Sequence, residues 1–249
     1  MSTPAISNTA VFGSTGLVGS QILSTLLGWP SVKVTTISRR APKAPESATN
    51  LNAIVEPDTT AWASKLTSLS PAPHTVFSGL GTTRAQAGGL ANQWKIDHDL
   101  NVELAKASKA SGVRTFVFIS SAGTRSFISS RLPYSKMKIG VEDAVRDLDF
   151  ENAVIVRPGL IMGEREQPRA GQGVMTGLVR GLGYLGQGLQ DSVGQDHDVI
   201  ARAAVRAAQL VAEGKAPSKY WVLEQADIVR LGRTEWVDNK PQTTTTASS

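Results

Sequence analysis

The stretch NTAVFGSTGLVGSQILSTLL, residues 8–27, joins a short apolar run to three evenly spaced glycines and then to a second apolar pattern. Residues 9–12 are typical of a buried strand, and the aliphatic residues that follow the glycines recur at helical spacing. Gly13, Gly16 and Gly19 lie between the two in a G-x-x-G-x-x-G pattern. Such glycines permit a tight turn, close approach of the backbone to a pyrophosphate, and close packing of helix on strand. The stretch therefore predicts the opening unit of a dinucleotide-binding fold.

The rest of the chain continues this alternation of strands and helices. Apolar and β-branched runs predict further strands within residues 31–38, 53–55, 74–83, 114–123 and 152–159, and an edge strand at 220–223. Helical spacing predicts helices near residues 62–69, 92–111, 134–148 and 199–213. Strands separated by helices in this way indicate an α/β fold, a Rossmann-type doubly wound parallel sheet with right-handed crossovers.

A single domain accounts for nearly the whole chain. The 249 residues, of which 41% are hydrophobic, suit one domain with a sizeable core. We predict one dinucleotide-binding domain over residues 1–235 and a disordered tail over residues 236–249. A small C-terminal region on the substrate side, roughly residues 160–230, is predicted to act as a lid. Its Gly-rich segment 171–190 is interpreted as a core or lid helix, with an amphipathic membrane-touching face as the alternative.

Composition excludes several kinds of site. The chain has no cysteine, which excludes disulfides, thiolate metal sites and a cysteine nucleophile. Its three histidines, His74, His98 and His197, lack metal-ligand spacing, so no metal site is predicted. The net charge of +5 is spread along the chain, and no basic stripe indicates nucleic-acid binding. This mild basicity suits a phosphate-bearing ligand or an anionic membrane surface.

The first 45 residues contain no aspartate or glutamate and many serines and threonines. By composition they resemble an organelle transit peptide. We favour the interpretation that they form the first β-α-β unit of the fold, because cleavage there would remove the glycine motif. No apolar run in the sequence approaches the roughly 20 residues of a membrane-spanning helix.

The end of the second predicted strand indicates which dinucleotide is bound. An NAD-binding protein places an acidic residue about 20 residues past the glycines, where it binds the ribose 2'-hydroxyl. This chain has Ser38, Arg39 and Arg40 there. Two arginines suit a 2'-phosphate, so the sequence favours NADP over NAD, and a solvated strand end is the alternative interpretation.

A second group of residues, YSKMK at 134–138, has catalytic character. Tyr134 and Lys138 are one helical turn apart, so they share a face of the predicted helix. The ammonium of such a lysine favours the phenolate form of a tyrosine, which can exchange a proton with a substrate oxygen. Ser120 and Ser121 end the preceding strand, at the sheet edge where open α/β sheets bind ligands. The order of glycine loop, serine, tyrosine and lysine favours an enzyme.

This order of motifs resembles the short-chain dehydrogenase/reductase superfamily in its extended or atypical branch. A more specific resemblance is to the Tat-interacting-protein group of atypical reductases, and within it to a fungal branch associated with the mitochondrial outer membrane. The segments that carry it are LGTTRAQAGG at 80–89, KIDHDLN at 95–101, SSAG at 120–123, YSKMK at 134–138 and RPGLIMGE at 157–164. The resemblance extends over roughly residues 8–230.

The resemblance implies a role for each matching residue. Diphosphate binding is implied for Gly13, Ser14, Thr15, Gly16, Leu17, Val18 and Gly19. Binding of the 2'-phosphate is implied for Arg39 and Arg40, and contact with the adenosine for Leu80 and Gly81. The implied catalytic residues are Ser121, which would bind a substrate carbonyl, Tyr134, the proton donor, and Lys138, which would hold the nicotinamide ribose. Ser120 is the alternative to Ser121, and Asn101 is the candidate for the helix asparagine of a proton relay.

The resemblance also implies an activity and a location. We expect an NADP(H)-dependent oxidoreductase of atypical short-chain type that acts on a small-molecule carbonyl or alcohol. The alternatives are an NADPH-binding regulatory or redox-sensing protein without significant turnover, and an outer-membrane scaffold. The expected location is the cytosol-facing surface of the mitochondrial outer membrane, held peripherally, with the cytoplasm as the alternative. The sequence leaves open a protein partner or a homo-oligomer.

Overall fold

The computed structural model describes residues 6–163 and 193–237, and its centre is a parallel β-sheet of seven strands. In chain order the strands are Asn8–Phe12 (β1), Lys33–Ser38 (β2), Leu51–Val55 (β3), Thr75–Ser78 (β4), Thr115–Ile119 (β5), Asn152–Val156 (β6), Leu160–Met162 (β7), Gly194–Asp196 (β8) and Tyr220–Leu223 (β9). The central sheet has the order β3-β2-β1-β4-β5-β6-β9, and β7 pairs with β8 in a separate parallel sheet.

Helices cover both faces of the central sheet. In chain order they are Leu17–Leu27 (α1), Trp62–Thr67 (α2), Arg84–Ala87 (α3), Leu90–Trp94 (α4), Asn101–Ala110 (α5), Pro133–Asp147 (α6), His197–Ala212 (α7) and Gln225–Val229 (α8). The apolar sides of α1 and α7 are buried in one core cluster, and those of α2, α5 and α6 in another. The predicted Rossmann-type doubly wound α/β sheet is therefore confirmed. Within the residues described, none of the helices is both long and apolar enough to cross a membrane.

Burial on both faces explains why the central strands are apolar throughout. In β5, with the sequence TFVFI, all five residues are buried. Phe116 and Phe118 belong to the core cluster that contains α5 and α6, whereas Val117 and Ile119 belong to the cluster of α1 and α7. Alternate side chains thus point to opposite faces, as expected for a strand between two helical layers.

The strand order changes direction at β1, and this change positions the site. β1 pairs in parallel with β2 on one side and with β4 on the other. In open α/β sheets a crevice forms at such a switch point, outside the carboxyl ends of the strands. Gly13 directly follows β1 and Gly79 directly follows β4 at this edge.

The helix predicted over residues 92–111 is interrupted in the structure. A π turn at Lys95–Leu100 separates α4 from α5. The side-chain amide of Asn101 donates hydrogen bonds to the carbonyls of Ile96 at 3.1 Å and Asp97 at 3.3 Å. These bonds accompany the wider turn, in which the regular helical hydrogen-bond pattern is replaced locally. Apolar periodicity alone does not reveal such an interruption.

Two further features concern the C-terminal part of the chain. The predicted edge strand at 220–223 is confirmed as β9, which pairs in parallel with β6. The pair formed by β7 and β8 has no counterpart among the predicted strands, because three residues are too few to show a pattern. The Gly-rich segment 171–190 and the tail beyond residue 237 lie outside the described residues.

Candidate active site

The glycine motif forms a tight loop between β1 and α1. Gly13 has a φ angle of +76°, in the left-handed region that favours glycine, and its carbonyl accepts a hydrogen bond from the amide of Gly16 at 2.8 Å. A Cβ atom at Gly13 would lie 2.7 Å from the carbonyl carbon of Gly79. A Cβ atom at Gly19 would lie 2.1 Å from the oxygen of Gly13. The close approach of loop, helix and neighbouring strand therefore requires glycine at both positions.

The start of α1 suits an anionic group. The N-cap residue is Gly16, which has no side chain that could cap the helix. The first turn of the helix contains no acidic residue. The partial positive charge of the helix N-terminus is thus not offset locally. The buried hydroxyl of Ser14 has no hydrogen-bond partner among the described residues, which is unfavourable unless a ligand supplies one. Both features fit the diphosphate of a dinucleotide cofactor.

A cleft of about 580 Å³ opens at the switch point of the sheet. The predicted site residues that line it are Ser14, Thr15, Gly16, Leu17, Val18, Arg40, Leu80, Gly81, Tyr134 and Lys138. Ser120, the alternative serine, lines it as well. The glycine loop, the end of β2 and the start of α6 therefore border one cleft.

Other predicted residues lie outside the lining of this cleft. Gly13 and Gly19 contribute instead to the packing of the loop. The side chain of Arg39 is exposed to solvent, and Ser121 is half-buried. The structure thus brings Ser120 rather than Ser121, and Arg40 rather than Arg39, to the cleft.

Tyr134 and Lys138 lie in the first two turns of α6. Pro133 occupies the first helical position, where its fixed φ angle favours helix initiation. Tyr134 follows and is 42% exposed, whereas Lys138 is only 4% exposed. The Nζ atom of Lys138 donates a hydrogen bond to the carbonyl of Ile119 at 3.0 Å and lies 4.7 Å from the centre of the Phe118 ring. The ammonium is therefore anchored to the end of β5, and the tyrosine stays accessible from the cleft.

Asn101 has a local structural role. In addition to the two bonds from its amide nitrogen to the π turn, its Oδ1 atom accepts a hydrogen bond from Ser78 Oγ at 2.6 Å. The residue is completely buried and does not line the cleft. The structure therefore does not bring the candidate relay asparagine together with Tyr134 and Lys138.

Three ionisable residues line the cleft without having been predicted as site residues: Lys43, Asp97 and His197. Lys43 lies three residues after Arg40, and this local cluster of basic residues is visible in the sequence. Asp97 is completely buried, and its Oδ1 atom accepts a hydrogen bond from the amide of Thr82 at 2.7 Å. His197 begins α7, and within the described residues its buried Nδ1 atom has no hydrogen-bond partner. No local pattern marks His197, because the fold brings it to the cleft from a distant segment.

A buried carboxylate, Glu142, lies next to the cleft, one turn beyond Lys138 on α6. Its oxygens accept hydrogen bonds from Ser120 Oγ at 2.6 Å, from Arg157 Nε and Nη2 at 3.0 and 2.6 Å, and from Arg125 Nε at 2.9 Å. Burial raises the pKa of this carboxyl, but the hydrogen bonds from Arg157, Ser120 and Arg125 outweigh burial and hold the pKa below its usual value. Glu142 is therefore ionised at neutral pH.

The sequence model of the NAD dependent epimerase/dehydratase family matches residues 9–221. "Protein fmp-52, mitochondrial" of Neurospora crassa is 61% identical over 240 residues, which cover 95% of this chain and 99% of that protein. "Protein FMP52, mitochondrial" of Chaetomium globosum is 62% identical over 230 residues, which cover 92% and 98% of the two chains.

Solved structures show the same fold at low sequence identity. The UDP-glucuronic acid 4-epimerase from Bacillus cereus, described in complex with NAD, matches with a TM-score of 0.63 and 15% identity, over 87% of this chain and 76% of that chain. The UDP-N-acetylglucosamine 4-epimerase from Methanobrevibacter ruminantium M1 matches with a TM-score of 0.63 and 19% identity, over 88% and 76%. These likenesses support the Rossmann-type sheet and concern the fold alone.

Proposed function

We propose that this chain, which belongs to the NAD dependent epimerase/dehydratase family, is an NADP(H)-dependent oxidoreductase acting on an alcohol or carbonyl substrate. One observation carries the proposal: the glycine loop and the face of α6 that bears Tyr134 and Lys138 border the same cleft. A cofactor and a proton-transferring side chain would thereby share one site. Within the family, we assign the chain to the Tat-interacting-protein group of atypical reductases, which its motifs resemble.

The roles of the chain's own residues follow from their positions. A nicotinamide cofactor, when bound, supplies or accepts the hydride. Tyr134, accessible from the cleft, would exchange a proton with the substrate oxygen. Lys138, anchored at the end of β5, would hold the nicotinamide ribose. The UDP-sugar substrates named for the two solved epimerases are not part of the proposal, because those proteins share only the fold with this chain.

A substrate screen tests this proposal. The purified full chain is incubated with a panel of alcohols and carbonyl compounds, nicotinamide absorbance is followed, and bound nucleotide is analysed. We expect cofactor-dependent turnover of at least one compound. A protein that binds no nicotinamide nucleotide would contradict the proposal, and one that binds NADPH without any turnover would favour the regulatory alternative.

The end of β2 supports NADP(H) as the cofactor. The first acidic residue after β2 is Glu46, and the hydroxyl of Ser38 donates a hydrogen bond to the carbonyl of Arg40 at 2.8 Å. Arg40 and Lys43 both line the cleft. A 2'-phosphate carries nearly two negative charges, and guanidinium groups bind phosphates through charge-assisted hydrogen bonds. Two basic side chains that line the cleft suit this phosphate better than a free 2'-hydroxyl.

Arg40→Ala should weaken NADPH binding by roughly 10- to 100-fold, because a lost hydrogen bond to a charged group costs about 1.5–3 kcal/mol. Binding of NADH should change little, since it lacks the 2'-phosphate. Arg39→Ala is the matched control, because it removes the same charge from an exposed neighbour outside the cleft lining, and we expect near wild-type affinity. Fluorescence titration of the three proteins with both cofactors measures these effects. Equal wild-type affinity for NADPH and NADH would refute the preference.

The proposed location is the mitochondrion, in peripheral contact with the cytosol-facing surface of the outer membrane. The two fungal relatives are named as mitochondrial proteins. Phe127 and Ile128, in the loop before α6, are each 81% exposed, and the guanidinium of Arg131 lies 5.0 Å from the centre of the Phe127 ring. Exposed apolar side chains beside a cation suit shallow insertion into an anionic bilayer surface.

The double substitution Phe127→Ser and Ile128→Ser should weaken binding to vesicles of phosphatidylcholine and phosphatidylinositol by at least about tenfold. The reason is that the variant lacks the two apolar side chains whose transfer from water into the bilayer would stabilise the bound state. Co-sedimentation with the vesicles measures the bound fraction. Val237→Ser serves as the control, since Val237 is also an exposed apolar residue, 76% exposed, outside this loop. Equal binding of the double variant and the wild type would show that the loop does not contact the membrane.

A further inference from the structure

His197 lines the cleft but has no role in the chemistry described so far. It directly follows β8 and is the first residue of α7. β8 pairs with β7, and the last pair of that register is Met162 with Asp196, so Gly163 and His197 are the next residues along the two strands. The small two-stranded sheet therefore places the imidazole beside Gly163 at the cleft.

The backbone of Gly163 fixes the plane of the imidazole. A Cβ atom at Gly163 would lie 2.5 Å from Nδ1, 2.8 Å from Cγ and 2.9 Å from Cε1 of His197. Three similar distances to adjacent ring atoms mean that the face of the ring, rather than its edge, packs on Gly163. Gly163 also has a φ angle of +150°, a conformation that favours glycine. Any side chain at residue 163 would therefore displace the ring.

The two ring nitrogens of His197 have different surroundings. Nδ1 is buried and has no hydrogen-bond partner within the part of the chain that the structure describes. The residue as a whole is only half-buried, so the ring reaches the cleft with the two atoms farther from Gly163, Nε2 and Cδ2. Buried N–H groups without an acceptor are rarer than acceptors without a donor, which favours the neutral tautomer with its proton on Nε2. His197 is thus a hydrogen-bond donor toward the cleft.

The position of His197 along the cleft indicates which part of a dinucleotide it can meet. The lining follows the strand order: Arg40 lies after β2, the glycine loop after β1, and Lys138 is anchored at the end of β5. Ile161 of β7 and His197 come next, because β7 follows β6 after three residues. With the 2'-phosphate at Arg40, the diphosphate at the glycine loop and the ribose at Lys138, the nicotinamide ring is the group that remains for this end.

We propose that His197 is a cofactor-binding residue that donates a hydrogen bond from Nε2 to the carboxamide oxygen of the nicotinamide. The inference rests on the proposed function, because it uses the direction of the cofactor along the cleft. One hydrogen bond to the carboxamide limits rotation of the nicotinamide about its bond to the ribose. Gly163 and the pair of β7 and β8 hold the donor in place before the cofactor binds, which lowers the entropy cost of the contact.

His197→Leu should weaken NADPH binding by about 3- to 10-fold, the effect of one lost hydrogen bond, and leave binding of 2'-phospho-ADP-ribose, which has no nicotinamide, unchanged. His197→Gln should keep wild-type affinity for both, because its amide nitrogen can occupy the position of Nε2. His197→Asn, whose amide nitrogen corresponds to Nδ1, should behave like His197→Leu. Fluorescence titration of the purified full chain measures these affinities.

His98→Leu is the matched control, because His98 is a partly exposed histidine outside the cleft lining, and it should bind both ligands as the wild type does. An equal loss for NADPH and 2'-phospho-ADP-ribose in His197→Leu, or no loss for either, would overturn the inference. If His197→Leu does not fold, His197→Asn, which keeps a polar side chain, decides in its place.

Thionicotinamide adenine dinucleotide phosphate tests whether the bond is made to the carboxamide oxygen. Sulfur replaces that oxygen and is a weaker acceptor, so the wild type should prefer NADP over the thio analogue. His197→Leu should bind the two alike, and a preference that persists in this variant would contradict the assignment. Gly163→Ala keeps the imidazole but displaces it, so it should lose the preference in the same way.

These titrations separate the role of His197 from the proposed function. A protein in which His197→Leu weakens NADPH binding but which turns over nothing would support the contact, while the oxidoreductase activity fails. A protein in which His197→Leu raises KM for a substrate without changing NADPH affinity would assign the histidine to the substrate and overturn the inference. A chain that binds no nicotinamide nucleotide would contradict both.

Discussion

Tyr134→Phe is expected to lower turnover by roughly two to four decades, the contribution of a lost general acid, while the fold and NADPH affinity stay nearly unchanged. The substitution removes only the phenolic hydroxyl and keeps the ring. Tyr134 is 42% exposed at the cleft, so the fold does not depend on burial of its hydroxyl. The proposed partner of that hydroxyl is the substrate oxygen rather than the cofactor. Initial rates with a substrate from the screen, together with NADPH titration, measure the two effects separately.

Lys138→Met provides the contrast to Tyr134→Phe. Lys138 is buried, donates a hydrogen bond to the carbonyl of Ile119, and is proposed to hold the nicotinamide ribose. Methionine keeps the length of the side chain and loses the charge, so we expect lower turnover and also NADPH affinity reduced by at least about tenfold. If Tyr134→Phe is as fast as the wild type, the catalytic assignment of Tyr134 is wrong. If Lys138→Met binds NADPH as tightly as the wild type, the proposed ribose contact is wrong.

The fold could be predicted because each central element has a strong local pattern. β1 leads directly into the glycine motif and α1, and these three features constrain one another in a short stretch. β5 is apolar throughout because helices cover it on both faces of the sheet. The prediction of secondary structure was incomplete where a strand is too short to show a pattern and where a π turn interrupts a helix. β7 and β8 have only three residues each, and the π turn before Asn101 involves hydrogen bonds that apolar periodicity does not show.

Local sequence could not decide between adjacent candidates in the site. Neighbouring residues at the end of a strand point in different directions, so a pair such as Ser120 and Ser121 always leaves the choice open. In the structure Ser120 lines the cleft and Ser121 does not. Likewise, Arg40 lines the cleft and Arg39 does not. Which member of each pair lines the cleft is visible only in the complete fold.

Glu142 illustrates the limit of spacing as a signal. It follows Lys138 by four residues, as Lys138 follows Tyr134, so its position on the shared helix face is predictable from the sequence. Its burial and its partners are not predictable in this way, because Arg125 and Arg157 lie 17 and 15 residues away and meet it only through the packing of β5, α6 and β6. The hydrogen bond from Ser120 to Glu142 therefore depends on tertiary contacts.

The second large effect is expected at the glycine loop. A Cβ atom introduced by Gly19→Ala would lie 2.1 Å from the oxygen and 2.6 Å from the carbonyl carbon of Gly13. Both are backbone atoms, so no side chain can rotate away, and α1 must move relative to the loop. Overpacking of this kind costs about 1–3 kcal/mol, which corresponds to a Tm lower by roughly 2–12 °C for a domain of this size. The displaced helix N-terminus should also weaken NADPH binding by at least about tenfold, because the backbone amides that suit the diphosphate are no longer positioned.

Gly140→Ala is the matched control for Gly19→Ala. A Cβ atom there would lie 2.5 Å from Nε2 of His98, which is the end of a partly exposed side chain and can shift. Alanine is also favoured over glycine inside a helix by about 1 kcal/mol, so this variant should keep Tm and NADPH affinity close to those of the wild type. Thermal unfolding and cofactor titration of both variants give the comparison. If Gly19→Ala is as stable as Gly140→Ala and binds NADPH equally well, the close packing of α1 on the loop is not needed for the site, and the diphosphate must be bound by another part of the cleft.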